Sequence, residues 1–304
     1  MSGYASGIVA ILCINLIFAY GVYVTAAAGQ LNLGGAGYQA IGAYAAAVLS
    51  TQGWTPGWGT IPAAMIISAL VGFLIAFPVL RTRGVYMVLA TFAFAQVVSG
   101  VLLRTSLFGG AIGMVVPDYL PLSVLILAAV LTTLFVFFLM ASRFGLAIRA
   151  IHDDEAVATI MGVDVRGMQV TVFTIGGALA GLSGALYAHY FSFVEAQYFN
   201  PNLSIFVLLF VLIGGTQTAW GPLAGSLFFT LIPEALRIGG SWRFVVFGVT
   251  IVLMMAIRPE GMITRTLIAR ISSLFHRRPS SSALSLPNAR PDLPDARMGD
   301  QHAK

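Results

Sequence analysis

Few residues in this chain are able to do covalent chemistry, and their spacing excludes most of it. The only lysine is Lys304, so a phosphate-binding G-x-x-x-x-G-K-[ST] loop has no lysine to place on the phosphates. A Schiff-base enzyme is equally unexpected. Cys13 is the only cysteine, which rules out an intrachain disulfide and cannot complete a thiolate zinc site. His152, His189, His276 and His302 stand far apart, with no H-E-x-x-H spacing. There is no G-x-S-x-G, and Ser183, in the run GLSGA, reads as a small packing residue rather than an intramembrane nucleophile. No catalytic set, metal site or bound cofactor is expected.

What the sequence does concentrate is charge. The run Ser142 to Arg166, SRFGLAIRAIHDDEAVATIMGVDVR, holds Arg143, Arg149, Asp153, Asp154, Glu155, Asp164 and Arg166, whereas residues 119–142 and 167–194 carry no Asp, Glu, Lys or Arg. A polar segment so placed faces water and can meet a partner. From Asp153 it reads as a short amphipathic helix. Asp153 is the expected N-cap, Asp154 and Glu155 occupy the first turn at the positive dipole end, and Gly162 is the stop. Val157, Ile160 and Met161 then share one face through their i, i+3, i+4 spacing. That stripe is covered either by the chain's own helix ends or lipid headgroups, or by a groove on a soluble partner.

The elements that hold this island are membrane spans. With 58% hydrophobic and 9% charged residues, the chain lies far from the roughly 25% charge of soluble domains. Its mean hydropathy is +0.91. No charged side chain precedes Arg81. The N-terminus lacks the basic region of a secretory leader, so no cleaved signal peptide is expected. A helix needs about 20 apolar residues to cross about 30 Å of hydrocarbon. Stretches at 8–28, 61–79, 85–103, 121–141, 168–190 and 242–257 supply them, and shorter or interrupted ones lie at 35–51, 203–217 and 221–236. The expected fold is an all-α bundle of about nine crossings, some short or broken.

With nine crossings, alternation puts Arg81, Arg83, Arg143, Arg149, Arg166 and everything from Arg258 onward on the side of the island, leaving Arg104, Arg237 and Arg243 opposite. The positive-inside bias then predicts an outside N-terminus and a cytoplasmic C-terminus. The same distribution accounts for the net charge of +5 without invoking nucleic acid. The membrane domain is expected over 1–265 with its loop at 142–166. Residues 266–304 form a cytoplasmic tail whose composition after Pro279 predicts disorder, with basic residues able to touch anionic lipid.

Gly177-x-x-x-Gly181 with Gly184, and Gly221-x-x-x-Gly225, read as close helix packing within one subunit. Two Gly-rich polar interruptions, GQLNLGGAG at 29–37 and GGTQTAWGP at 214–222, fall one in each half, a pattern that points to transport sites. Gln30 and Asn32 at the first break, Thr91 and Gln96 in the fourth span, and Thr216 and Gln217 at the second break are the polar groups available to a pathway. Each can serve instead as an interhelical hydrogen bond. Glu195 and Asn200 are expected on the outer side. The firm spans carry no Asp, Glu, Lys or Arg except Arg243 at the edge of the last, which leaves no proton relay at mid-depth. Uncharged permeation, or transport powered by another polypeptide, remains.

The island resembles the cytoplasmic coupling loop of LivM-type permeases of branched-chain amino acid ABC importers, in the order S-R-F-G, R-A-I, D-D-E and M-G before a hydrophobic span. RGVYMVLATFAFAQ at 83–96, NPNLSIFVLLFVLIGGTQTAWGPLAG at 200–225, RPEGM at 258–262 and GQLNLGGAGYQAIGAY at 29–44 match the same family. Together they cover roughly residues 10–265 in family order. The resemblance implies a bacterial inner-membrane importer built from two related permeases, two cytoplasmic ATPases that hydrolyse ATP, and an extracytoplasmic binding protein. By that analogy Arg149, Asp153, Asp154, Glu155 and Gly162 carry the coupling helix. One place departs: where the family often shows T-G-G, this chain has Phe108-Gly109-Gly110. Branched-chain or other hydrophobic amino acids are the commonest expectation, with urea, amides or aromatic acids among the family's relatives. The rival class is a nucleotide-independent channel or facilitator for a small polar solute such as urea or an amide. An enzyme acting within the bilayer would need a catalytic pair that the sequence lacks.

Overall fold

The computed structural model describes residues 3–53 and 57–235, together with isolated positions between 248 and 262. Apart from those positions, the expected span at 242–257, the RPEGM run and the tail lie outside the described residues. Ten helices follow one another: α1 (Gly3–Ala27), α2 (Gly35–Thr51), α3 (Gly57–Val79), α4 (Val85–Arg104), α5 (Leu122–Ala141), α6 (Arg143–Asp153), α7 (Glu155–Ile160), α8 (Val165–Phe191), α9 (Pro201–Gly214) and α10 (Trp220–Ala235). Two-residue strands β1 (Met114–Val115) and β2 (Phe193–Val194) pair antiparallel. The architecture is all-α. The other eight expected spans are all helices, and five of them, α1, α3, α4, α5 and α8, are long and apolar enough to cross a membrane.

The outer helices are apolar on the face they turn away from the chain. Ile66, Leu70, Phe73, Leu74 and Phe77 of α3 and Leu127, Leu131, Leu134 and Phe138 of α5 are exposed. Such a surface is an aggregation liability in water and matches its solvent in hydrocarbon. Inside, α8 packs against α1, α2 and α3. Small residues set that packing. A side chain at Gly42 would overlap the Gly181 backbone, and one at Gly184 would overlap the Gln39 carbonyl. The glycines at 177, 181 and 184 therefore let helices of this chain touch backbone to backbone. Gly221 and Gly225 do the same for the α9–α10 hairpin, against Gly214, Gly215 and Phe210.

Chain alternation sorts the loops to two ends. At one end the α1–α2 break approaches the island, since Gly29 lies beside His152. Arg81 and Arg83 after α3 share a groove with Asp154, Glu155 and Arg166 there. At the other end a buried polar clasp joins four elements. Ser50 Oγ donates to Asp118 Oδ2 at 2.8 Å. The His189 ring, fully buried, lies with Nδ1 2.9 Å from the Asp118 carbonyl and Nε2 2.6 Å from Thr60 Oγ1. A carbonyl only accepts, so Nδ1 is the donor in that pair. Phe108, at the departure from the family pattern, packs edge-on against Tyr44 at 5.9 Å.

Candidate functional site: a charged elbow beside two broken helices

The island is two helices rather than one. α5 ends at Ser142, whose hydroxyl donates to the Leu139 carbonyl at 2.7 Å. The Arg149 guanidinium donates to the Met140 carbonyl at 2.9 Å. A basic group at a helix C-terminus satisfies an orphan carbonyl and complements the dipole. Gly145 sits so close to Met140 that no side chain fits. The S-R-F-G and R-A-I runs thus build the bend into α6, whose Ile148 and Ile151 are buried.

The cap expected at Asp153 falls one residue later, because Asp153 is the last residue of α6. Asp154 turns to an extended conformation and its carboxylate accepts from the Ala156 and Val157 amides at 2.8 and 3.1 Å. Two helices meeting at one residue require that break, and a short polar side chain in extended backbone reaches the next turn's N–H groups, as that of Asp154 does. Glu155 keeps its place in the first turn and accepts from Gln169 Nε2 of α8 at 2.9 Å. Gly162 ends the element with φ +83°, a conformation that favours glycine. Asp164 then caps α8 through the Gly167 amide at 3.1 Å.

The expected apolar stripe is open. Ile160 is 85% and Met161 80% exposed, with Val157 half-exposed and Ala158 buried beneath them. Among the described residues no helix end covers these side chains. Beside them an open groove of about 910 Å³ is lined by Arg81, Arg83, Asp154, Glu155, Arg166 and Gln169.

The six polar residues offered to a pathway separate into three settings. Gln30, Asn32 and Thr91 are buried at the first break. There Thr91 Oγ1 accepts from the Leu33 amide at 3.1 Å, and Asn32 Oδ1 accepts from the Gly34 amide at 2.7 Å. Among the described residues the Gln30 amide group is left with both its donor and its acceptor unpaired. Thr216 and Gln217 do not join them; they line a cavity of about 170 Å³ with Arg149, His152 and Asp153. Gln96 stands apart, exposed on α4. Glu195 is exposed at the clasp end, and Asn200 caps α9 by accepting from the Leu203 amide at 3.3 Å.

Ser204 was not legible as a site residue, yet its hydroxyl accepts from the Ala36 amide at 2.7 Å. It satisfies an orphan N–H of α2 in a buried break where Gly34 offers no side chain. Its signal was the NPNLS run itself, a cap followed by one polar residue in an apolar helix. Thr60, Asp118 and Gln169 likewise emerge only from tertiary placement. Among the described residues no three His, Cys, Asp or Glu side chains group as a metal site.

Apolar helices around a buried core, with short broken helices and a charged elbow at one end, define a multi-pass helical membrane protein of the permease class. The chain belongs to the family described as the branched-chain amino acid transport system permease component, whose pattern matches residues 4–255. It is 30% identical over 282 residues to the high-affinity branched-chain amino acid transport system permease protein LivM of Escherichia coli K12, covering 80% of this chain and 66% of that protein. The chain thus spans just under two thirds of that relative. It is 24% identical over 240 residues to a probable LivM of Methanocaldococcus jannaschii, covering 68% of this chain and 69% of the relative. A shorter match, 25% over 138 residues and 44% of each chain, links it to LivH of Escherichia coli K12, also a branched-chain amino acid permease. No solved structure matches the chain.

Proposed function

We propose that this chain is a transmembrane permease subunit of an ATP-driven importer, moving branched-chain or other hydrophobic amino acids delivered by an extracytoplasmic binding protein. It works beside a second, related permease and two cytoplasmic ATPase subunits, which hydrolyse the ATP; the chain itself binds no cofactor. The relatives' names support the substrate class and the companion permease. The proposed topology has nine crossings with the N-terminus outside and the island in the cytoplasm of a bacterial inner membrane, on the positive-inside bias.

The observation that carries the reading is the open stripe of Val157, Ile160 and Met161 on α7. Exposed apolar side chains on a capped, hydrogen-bonded turn suit a groove on a soluble protein. Arg149, Asp153, Asp154, Glu155 and Gly162 fix the geometry of that turn, so that a load applied to α7 is delivered to α5 and α8. Gln30, with both amide atoms free, Asn32 and Thr91 at the first break, Gln96 on α4, and Thr216 and Gln217 at the second break are the polar groups assigned to the path. Thr216 and Gln217 serve its inner mouth.

Reconstitution tests this. The permease pair in proteoliposomes is expected to take up leucine only when the ATPase subunits, ATP and a loaded binding protein are all present. Leucine or urea equilibrating through the pair without ATPase would replace the importer with a facilitator.

A further inference from the structure

Three outward faces of the bundle differ in kind. Those of α3 and α5 are built from Leu, Ile, Phe and Val. The exposed face of α4 runs Tyr86, Leu89, Ala93, Gln96, Gly100, with small residues where the other two carry bulky ones and an amide at its centre. Gln96 lies eleven residues into α4, about 16 Å along the axis at 1.5 Å per residue. That is the middle of a hydrocarbon layer about 30 Å thick. Lipid chains offer such a side chain no hydrogen bond, whereas a neighbouring helix does. Among the described residues nothing lies within 4 Å of a side chain placed at Gly100, which leaves room there for a close backbone. Along one edge of this face, Val97 and Val101 border a wholly apolar groove of about 440 Å³ floored by Ile41 and Ala45 of α2.

We propose that the α4 face centred on Gln96 is the seam against the companion permease, occupied by an apolar membrane helix that carries a hydrogen-bonding side chain at mid-depth. The inference rests on the two-permease reading above and adds where the two subunits meet. Spacing of three, four, three and four residues from Tyr86 to Gly100 presents these five side chains as one seam. Ala93 and Gly100 permit close approach, and Gln96 supplies the polar contact that sets register. The adjoining groove receives the neighbour's apolar side chains. In this arrangement Gln96 lies at the boundary between the two subunits.

The test uses bimane-labelled cysteines in a Cys13→Ala background, at Ala93→Cys and Gln96→Cys on the seam and at Leu70→Cys and Leu131→Cys as lipid-facing controls. The chain is co-produced with its related permease and placed in vesicles of brominated phosphatidylcholine. Quenching at 93 and 96 is expected to be at least threefold weaker than at 70 and 131, and to rise to the control level when the chain is reconstituted alone. Equal quenching at all four positions in the pair overturns the proposal in favour of lipid. Protection that persists in the chain alone overturns it in favour of a second copy, and quenching of 96 by aqueous iodide in favour of a water-lined face. Recovery of an ATPase with the pair is read separately, so loss of the importer reading leaves a distinct signature.

Discussion

Replacing Ile160 and Met161 together by alanine separates docking from folding. Both side chains are at least 80% exposed, so their truncation changes the stability of the permease by no more than about 0.5 kcal/mol. Alanine keeps α7 helical. Docking, by contrast, would bury both. Each loses about two to three methylene equivalents at roughly 0.8 kcal/mol apiece, for a total of about 3–5 kcal/mol. At 1.4 kcal/mol per tenfold, ATPase binding should weaken by about two to three and a half powers of ten. The assay is titration of a fluorescent ATPase subunit onto the permease pair in nanodiscs, paired with a thermal melt of the same sample. Val157→Ala, at a half-exposed position of the same face, should cost about one methylene pair and give a smaller loss. Binding unchanged within threefold for the double variant would refute the assignment of this stripe to the ATPase. A large drop in melting temperature would refute the premise that the stripe is free of structural duty.

The remaining predictions concern how the chain holds together. Gly184→Ala places a methyl group against the Gln39 carbonyl and should cost about 1–3 kcal/mol of stability, read as a lower melting temperature in detergent. Ser204→Ala leaves the Ala36 amide unpaired in a buried break, with a loss of about 1–3 kcal/mol seen in the same melt. Asp154→Ala removes a cap worth about 1 kcal/mol, so the Ala156 and Val157 amides should exchange about fivefold faster, whereas Asp154→Asn should preserve their protection. Burial raises the Tyr198 phenol in the loop before α9 above its ordinary value, so the fold favours the neutral ring. That stability is present in full below about pH 10, the unfolded value, and is lost as pH climbs through the raised folded value; Tyr198→Phe should flatten this alkaline decline.

The spans were legible because each is a long apolar run with at most one charge, Glu234 in 221–236 and Arg243 in 242–257, and a periodicity of 3.6 is not needed when a helix is apolar all round. The breaks at 29–37 and 214–222 were legible from glycine. Their convergence on the island was not, because the approach of Gly29 to His152 and the shared cavity of Gln217 and Arg149 join residues over 60 positions apart. The island's first helix, α6, was not legible for a different reason. Asp153 and Asp154 are equally good caps by type, and what decides between them is where α6 runs out, which depends on Arg149 anchoring its start and on Ile148 and Ile151 burying its face. In the sequence His189 is only one of four histidines without metal-ligand spacing. Its role in the clasp depends on Thr60 and Asp118, which no local pattern connects to it.

These ties constrain how a push at the elbow travels. α7 is joined to α8 by the short turn at Gly162, by the Asp164 cap and by the Glu155–Gln169 hydrogen bond. Displacing α7 without α8 would therefore stretch three connections within two helical turns. α8 has 27 residues and is about 40 Å long at 1.5 Å per residue, enough to carry that displacement across the whole bilayer. On the way it cannot slide freely past its neighbours, because Gly181 and Gly184 interlock with the backbone of α2 and Gly177 with that of α3, and close-packed surfaces resist shear. At its far end His189 is held to Thr60 of α3 and to the loop that binds Ser50 of α2. The same two helices that grip α8 in the middle are thus tied to it again at the end. Moving α2, α3 and α8 as one body breaks none of these contacts, whereas moving α8 alone breaks them all, so the rigid-body route is the one this packing selects.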